Sequence, residues 1–303
     1  MQNFEQPIPK SVVNGAGGSE LRAAFDARRQ AFRTLHEEGC FVIPNPWDVG
    51  SARYLQHLGF PALATTSAGF AFSQGLPDSD VAVGRERSLS HIAEIVAAVD
   101  LPVNADFASG YGTDPQGVAD SVSRCVATGV AGLSVEDATG ERSAPLYDLP
   151  IAVERIRAAR QAIDQSGSGV LLTARAECYL VGHRDAFRES VRRLQAYAQA
   201  GADVLFAPGV HKPEEIKALV EAVQPKPFNL LVVRDTGLCV SDFAALGVRR
   251  ISVGGALALT AWGSFMRAAQ SLKSDGSFAG FAGLAPYADI NNFLAADLRT
   301  RGM

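Results

Sequence analysis

Eight short apolar runs recur along the chain at residues 40–44, 62–66, 102–106, 132–136, 170–175, 203–207, 228–233 and 250–254, and most are rich in β-branched side chains. Between successive runs lie longer amphipathic or polar segments. A strand that is apolar through most of its length has both faces covered, which is the condition of parallel strands packed beneath helices. Eight strand-helix units in strict alternation predict a closed (βα)8 barrel of the TIM type. The alternative is an open doubly wound sheet. Its nucleotide-binding form would place G-x-G-x-x-G after the first strand, and no such motif follows residues 40–44.

The connecting segments carry their own punctuation. Residues 114–128 open with Asp114-Pro115, an N-cap followed by proline at the first helical position. Residues 151–164 repeat apolar side chains at helical spacing through Ile151, Val153, Ile156, Ala159 and Ile163. Gly59, Gly129, Gly201 and Gly247 each stand where a helix should end before the next strand. The expected organisation is an N-terminal arm and helix over 1–35, the barrel over 36–275, and a C-terminal helical extension over 276–303. That extension has more apolar sequence than one barrel needs. Phe278, Phe281, Tyr287 and Phe293 are expected to be exposed and to pack on a neighbouring subunit.

Composition narrows the class. A chain of 303 residues, 47% hydrophobic and 20% charged, can bury a large core. With net charge -4 and no Lys/Arg run longer than two, it offers no nucleic-acid surface. No stretch approaches the roughly 18 consecutive apolar residues of a membrane helix. Residues 1–18 lack an apolar signal core and read as a loose arm. Cys40, Cys125, Cys178 and Cys239 are scattered without a C-x-x-C, which suits a reducing cytoplasm. Cys40 and Cys125 read as small core residues, and Cys178, just past a strand end, as the one cysteine that could line an active-site mouth.

In a closed barrel all strand ends meet on one face, where chemistry is housed. Asp106, Glu136 and Arg175 end three successive strands and are expected to point into that mouth. Two acids with one fixed cation suggest a Mg2+ ion, bound through Asp106 and Glu136, and an anionic substrate. Arg175 can clamp a carboxylate or phosphate, or it can form a buried salt bridge to Glu177 or Glu136. Asp137 falls on the other side of its strand and reads as structural. Ser67, Ala68 and Gly69 are small and leave backbone N–H groups free to hold an anion. Asn229, on the seventh strand, joins the expected substrate-binding set. His57 and His91 read as surface residues of helices, while His183 and His211 lie in loops where either could carry a proton.

Five segments then resemble one known family: T-T-S-A-G-F-A-F-S-Q-G-L-P-D (65–78), N-A-D-F-A-S-G-Y-G (104–112), S-V-E-D (134–137), P-L-Y-D-L-P-I-A-V-E-R-I-R-A-A-R (145–160) and A-G-A-D-V-L-F-A-P-G (200–209). In this order they resemble the isocitrate lyase/phosphoenolpyruvate mutase superfamily, over about residues 41–255. The resemblance implies a barrel whose last helix is swapped between subunits of a homotetramer. It also implies a Mg2+ cofactor (with Mn2+ as substitute), an α-keto or α-hydroxy carboxylate substrate, and cleavage of a C–C or P–C bond through an enolate. The first metal acid falls on Asp106 and the outer acids on Asp78 and Glu136. The carboxylate-binding groups fall on Ser67, Ala68 and Gly69 with Arg175, and Arg175 and Asp106 carry catalysis.

Two departures refine this. Ala108 stands where the family commonly places a second acid. Residues 138–147, A-T-G-E-R-S-A-P-L-Y, have neither the cysteine and histidine of the lyases' K-K-C-G-H-like segment nor the lysine and asparagine gate of the phosphonate mutases. The chain therefore reads as a short-loop member, similar to oxaloacetate decarboxylases and 2-methylisocitrate lyase-like proteins. The expected reaction is C–C lysis or decarboxylation of an oxaloacetate-like or methylisocitrate-like acid, with selectivity from Glu141, Arg142, Tyr179 and Arg234. Phosphonate mutase or hydrolase chemistry, or a barrel that binds a carboxylate without catalysis, are the alternatives.

Overall fold

A computed structural model describes residues 16–302. The arm expected over 1–18 lies outside the described residues up to residue 15; from Ala16 the chain is already helical, in α1 (Ala16–Thr34). Eight strands follow: β1 (Phe41–Ile43), β2 (Leu63–Ala64), β3 (Val103–Asp106), β4 (Gly132–Glu136), β5 (Leu171–Arg175), β6 (Val204–Phe206), β7 (Phe228–Leu231) and β8 (Arg250–Ser252). Each falls inside the run that predicted it. All pair in parallel in the order β1-β8-β7-β6-β5-β4-β3-β2, which is the cyclic order of a (βα)8 barrel.

The seam between β1 and β2 is closed differently. Pro44 and Pro46 follow β1 and have no N–H to donate, so no ladder can run there. The Ala64 N–H donates to the Pro44 carbonyl (3.0 Å). The Asn45 side chain between the prolines completes the closure: its Nδ2 donates to the Thr65 carbonyl (2.8 Å), and its Oδ1 accepts from the Val253 and Gly254 N–H groups (3.0 and 2.9 Å). One side chain thus ties β1 to the ends of both neighbours.

The outer helices are α2 (Val49–His57), α3 (Ser67–Ser73), α4 (Asp80–Val83), α5 (Arg85–Ala98), α6 (Pro115–Ala127), α7 (Leu149–Ser166), α8 (Ala186–Gln199), α9 (Pro213–Val223), α10 (Val240–Ala245), α11 (Ala256–Asp275) and α12 (Tyr287–Thr300). Asp114 caps α6 as expected, accepting from the Gly117 N–H at 2.7 Å. The connection from β2 to β3 holds three helices, and the acids of the mouth lie partly on it. None of the described helices is long and apolar enough to cross a membrane.

The main apolar core lies between the strands and the helical shell, where Leu133, Leu172, Leu205, Ile156 and Leu219 are fully or almost fully buried. The barrel interior departs from the branched apolar layers usual in such folds. Asn104, Ser134, Thr173, Asn229, Arg250 and Ser252 are all buried on its strands. Phe32 and His36, from the end of α1, pack edge-on beneath with Phe41 (ring centroids 4.7–6.5 Å apart). Gly132 is required there, because a Cβ would lie 2.7 Å from both Phe32 and Asn104 Oδ1.

After β8, α11 leaves the barrel with only Ala258 buried, and Leu259, Trp262, Phe265 and Met266 are exposed. The helix α12 returns to α2, with Arg53 and Asp297 paired at 3.3 Å. Phe278, Phe281 and Tyr287 are exposed as expected. Phe293 is not: its ring sits 5.4 Å from Tyr54 and 5.0 Å from His57, half-buried on α2.

Candidate active site

The carboxyl ends of the strands surround a cavity of about 230 Å3. Asp106 stands at its centre. The Asp106 N–H donates to Thr65 Oγ1 (2.9 Å), and its carboxylate accepts from the Ser67 N–H (3.0 Å), so the ends of β2 and β3 fix it from both sides. Arg175, at the end of β5, reaches across with Nη1 at 2.9 Å from Asp106 and 3.1 Å from Glu136. Its Nε donates to Glu177 at 2.9 Å, and the Phe206 ring lies 5.2 Å from the guanidinium carbon. Arg175 thus lines the cavity and is ion-paired to Glu136 and Glu177, as its salt-bridge reading expected, and to Asp106 as well.

Electrostatics here are one-sided. Burial opposes the charge of Arg175, but Glu136, Glu177 and Asp106 outweigh it and hold its pKa above the usual range. Burial, then neighbouring carboxylates, raises Glu136 despite Arg175. Desolvation and then Asp106 raise Asp78 on the rim, where the Ser67 side chain hydrogen-bonds it. Asp80, on the first turn of α4, is raised by burial against its hydrogen bond from the Ser109 hydroxyl. Asp137 is buried and faces away from the cavity, as expected. It accepts from Arg193 Nη1 (2.9 Å), Tyr197 OH (2.5 Å) and the Glu177 N–H (2.8 Å), bracing β4 and β5 against α8.

Among the described residues no three His, Cys, Asp or Glu side chains converge tightly enough to cage an ion by themselves. Asp106, Glu136 and Asp78 are thus not a closed ligand set: the first two turn to Arg175, and Asp78 stays on the rim. The chemistry of the group nevertheless suits Mg2+, which takes carboxylate oxygen from one or two side chains and keeps several waters. Asp78, Asp106 and Glu136 lie about one guanidinium, Arg175, and Asp80 adds its repulsion to Asp78 and Asp106, so a divalent cation would relieve the crowding of negative charge.

Several expectations need correction. Cys178 is fully buried, in the core and not at the mouth, with burial pushing its thiol up to about 11. His91 is buried too, stacked on Phe70 at 4.0 Å and lowered to about 4 by desolvation. His183 and His211 are exposed in their loops and line none of the cavity. Two of the three small-residue N–H groups are occupied, that of Ser67 by Asp106 and that of Gly69 by Thr66 Oγ1 (3.2 Å). Gly69 is needed for space, since a Cβ would come within 2.6 Å of Thr66 and 2.9 Å of Trp47. Glu141 and Arg142 line a separate groove, Tyr179 donates to Glu215 (2.9 Å), and Leu180 borders the cavity instead.

Other residues of the site carried no reading from sequence. Asp80 follows Asp78 at a spacing of two, and that D-S-D pair was the available signal. Asn45, Asn104, Ser134 and Arg250 line the cavity with Asn229; each is a polar residue in or beside a strand that should be apolar. Arg155 occupies the buried face of α7 between Ala152 and Ile156. Its Nη1 and Nη2 donate to the Gly112 and Ser109 carbonyls (2.5 and 2.6 Å), and its guanidinium lies 4.0 Å from the Tyr147 ring centre.

Known proteins resemble this chain in sequence and in fold. The sequence profile of the phosphoenolpyruvate phosphomutase family matches residues 32–273. An oxaloacetate decarboxylase of Bradyrhizobium diazoefficiens is 30% identical over 209 residues, 66% of this chain and 69% of that protein. The crystal structure of a Burkholderia cenocepacia J2315 protein, assigned only as a lyase or mutase, superposes with TM-score 0.85 at 46% identity, covering 90% of this chain and 97% of the other. A phosphonopyruvate hydrolase complexed with oxalate and Mg2+ superposes with TM-score 0.78 at 25% identity, covering 91% and 97%.

Proposed function

Since the chain belongs to the isocitrate lyase/phosphoenolpyruvate mutase superfamily, we propose that it is a Mg2+-dependent carbon–carbon lyase, most simply a decarboxylase, of a small oxaloacetate-like acid. The observation that carries this reading is Asp78 and Asp106 with the fixed guanidinium of Arg175 in one cavity, Asp80 adding its charge beside them, and no thiol or imidazole lining that cavity among the described residues.

That absence selects among the family's chemistries. Cleavage that expels a carboxylic acid needs a group to protonate the departing carbon, and among the described residues no cysteine or histidine lines the cavity. Decarboxylation of a β-keto acid needs less: the C–C bond breaks, CO2 leaves, and the electron pair stays on the remaining fragment as an enolate, which solvent can protonate. The demand on the protein is to bind the α-keto carboxylate and stabilise the charge developing on the keto oxygen. Arg175 would bind the carboxylate with the Ala68 N–H, and the wall of Asn104 and Ser134 would orient the chain. A bound Mg2+, held by Asp106 with Asp78, Asp80 and Glu136 around it, would supply the electrostatic stabilisation. The oxaloacetate decarboxylase relative supports this substrate class.

The test is release of CO2 from oxaloacetate with Mg2+ or Mn2+, beside a parallel assay of phosphonopyruvate. The Asp106→Ala variant should lose at least about 100-fold in kcat/KM while keeping its fold, because the site sits above the packed layers. Metal-dependent phosphate release from phosphonopyruvate without CO2 release would replace this reading with phosphonate chemistry. A ligand-induced rise in Tm without turnover would replace it with a binding barrel.

A further inference from the structure

Arg250 is buried inside the barrel at 3% exposure, and no carboxylate pairs with it among the described residues. Its partners account for three of the five N–H groups of a guanidinium. Nε donates to Asn229 Oδ1 (2.7 Å) and Nη2 to Thr173 Oγ1 (3.0 Å). His36 takes the third. Its Nδ1 lies 2.7 Å from the Phe32 carbonyl, which can only accept, so the ring proton sits on Nδ1 and the bare Nε2 faces Arg250 Nη1 at 3.4 Å. Burial and then Arg250 lower the His36 pKa to about 3, so the imidazole is uncharged. Every partner is therefore neutral. The other buried arginines differ: Arg175 and Arg193 each meet at least two carboxylates. Arg155, held by two carbonyls, has Asp80 and Asp114 near enough to favour its charge.

The surroundings of Arg250 are rich in donors. One N–H remains on each Nη. Thr173 Oγ1 accepts from Arg250, and Ser252 Oγ accepts from Asn229 Nδ2 (3.0 Å). Neither hydroxyl donates among the described residues, so each still has a proton to give. Asn104 Oδ1, a buried acceptor without a partner among the described residues, lies against Gly132 and makes no bond with Arg250. A full positive charge among neutral partners is costly to bury and is ordinarily compensated by an anion. Arg250 and Ser252 border the same cavity as Asp106 and Arg175, so an anion can reach them from the mouth. Thr173 and Arg175 are two residues apart on β5, which puts the Arg250 contact one pleat, roughly 7 Å, below Arg175.

We propose that Arg250 forms a binding site for a small inorganic monoanion, chloride under ordinary conditions, at the floor of the barrel. The spare guanidinium N–H groups hold the ion, and the Thr173 and Ser252 hydroxyls are free to turn toward it. A monoatomic ion suits the space. An ion about as large as a water molecule takes only about 15 Å3 of the cavity of about 230 Å3 and leaves the mouth at Asp106 and Arg175 open to an organic ligand. It is the counter-charge that the barrel does not itself provide, whatever substrate the mouth accepts. With the ion in place, Arg250 no longer competes with Arg175 for a carboxylate.

Bromide is the probe, since it stands in for chloride and scatters anomalously. The full chain is crystallised in sodium bromide, without Mg2+ or any organic acid, and data at the bromine edge locate the ion. One peak in contact with Nη1 and Nη2 of Arg250 is expected. In solution, about 100 mM bromide should raise the Tm of wild type by about 2–4 °C more than that of Arg250→Gln, and the difference should saturate. The variant can still donate to Asn229 or Thr173 but carries no charge, and general salt effects cancel because both proteins take the same salt series. A wild-type map with no bromide at Arg250 overturns the assignment. So does a peak there with equal Tm gains in the two proteins, which would mark an adventitious ion only. If the variant does not fold, the wild-type map decides. No substrate or metal enters either measurement, so failure here leaves the functional reading above untouched.

Discussion

Asp80 shows at the scale of one residue what a charged site does to the protein that carries it. Its folded pKa is raised, first by burial and then, against the Ser109 hydrogen bonds, by Asp106. The sign of the linkage follows. Above the folded pKa the carboxylate must be ionised in a place that disfavours it, so its charge destabilises the native state at neutral pH. Below about 3.9, the ordinary aspartate value, it is neutral in both states and contributes nothing. Asp80→Asn keeps an acceptor for Ser109 and removes the charge. Without metal it should be more stable than wild type at pH 7.5, by about 0.5–2 kcal/mol, and the difference should vanish near pH 4. In Mg2+ the order should invert as the wild-type cluster takes up the ion. Urea unfolding at the two pH values, with and without Mg2+, measures this, and equal or lower stability of the variant at pH 7.5 without metal would contradict it.

At the scale of elements, the loop after β3 is held by a helix remote in sequence. Ala108 and Tyr111 adopt left-handed backbone (φ 47° and 51°), which costs residues with a Cβ about 1–3 kcal/mol each. Arg155 of α7 holds that shape through the Ser109 and Gly112 carbonyls. The same loop carries the hydroxyl that bonds Asp80 and follows directly on Asp106. Arg155→Met keeps the bulk on Tyr147 and removes both bonds. It should lower stability by about 2–4 kcal/mol and, in the folded fraction, lower kcat by about 100-fold as the acids shift. Turnover at wild-type rate in a folded Arg155→Met protein would show that the acids are positioned without it. The seam of β1 and β2 follows the same logic, since the Asn45 side chain does there what a ladder does elsewhere.

For the whole molecule, the open question of packing lies at the carboxyl terminus. The helix α11 buries only Ala258, while Trp262 (37%), Phe265 (61%) and Met266 (51%) remain exposed on it. Exposed apolar surface of this kind is suited to an interface. We expect a second copy of the chain to cover it, in an assembly whose mass is a multiple of 32.0 kDa. Phe265→Glu should shift light-scattering mass toward the monomer and lower Tm. A wild-type protein that runs as a monomer at micromolar concentration would rule this out.

The sequence by itself determined the periodic part of this protein. Eight apolar runs broken by helix signals left one closed arrangement, and every strand fell inside its predicted run, because burial on both faces dictates composition locally. The strand ends Asp106, Glu136 and Arg175 were legible for the same reason, as charged residues closing apolar runs. Asp137 was legible from simple alternation. What sequence could not show is which charges meet. Arg175 pairs with three acids at once, Asp80 joins the site from a helix between β2 and β3, and Arg155 supports it from α7. Cys178 and His91 failed as readings because solvent exposure near a strand end or on a helix depends on what packs above it. Arg250 is the clearest case. Only closure of the barrel turns that side chain inward, where no acid pairs with it among the described residues. Pattern along the chain specifies which faces are buried; the pairing of polar groups inside is a long-range property that exists only once the barrel has closed.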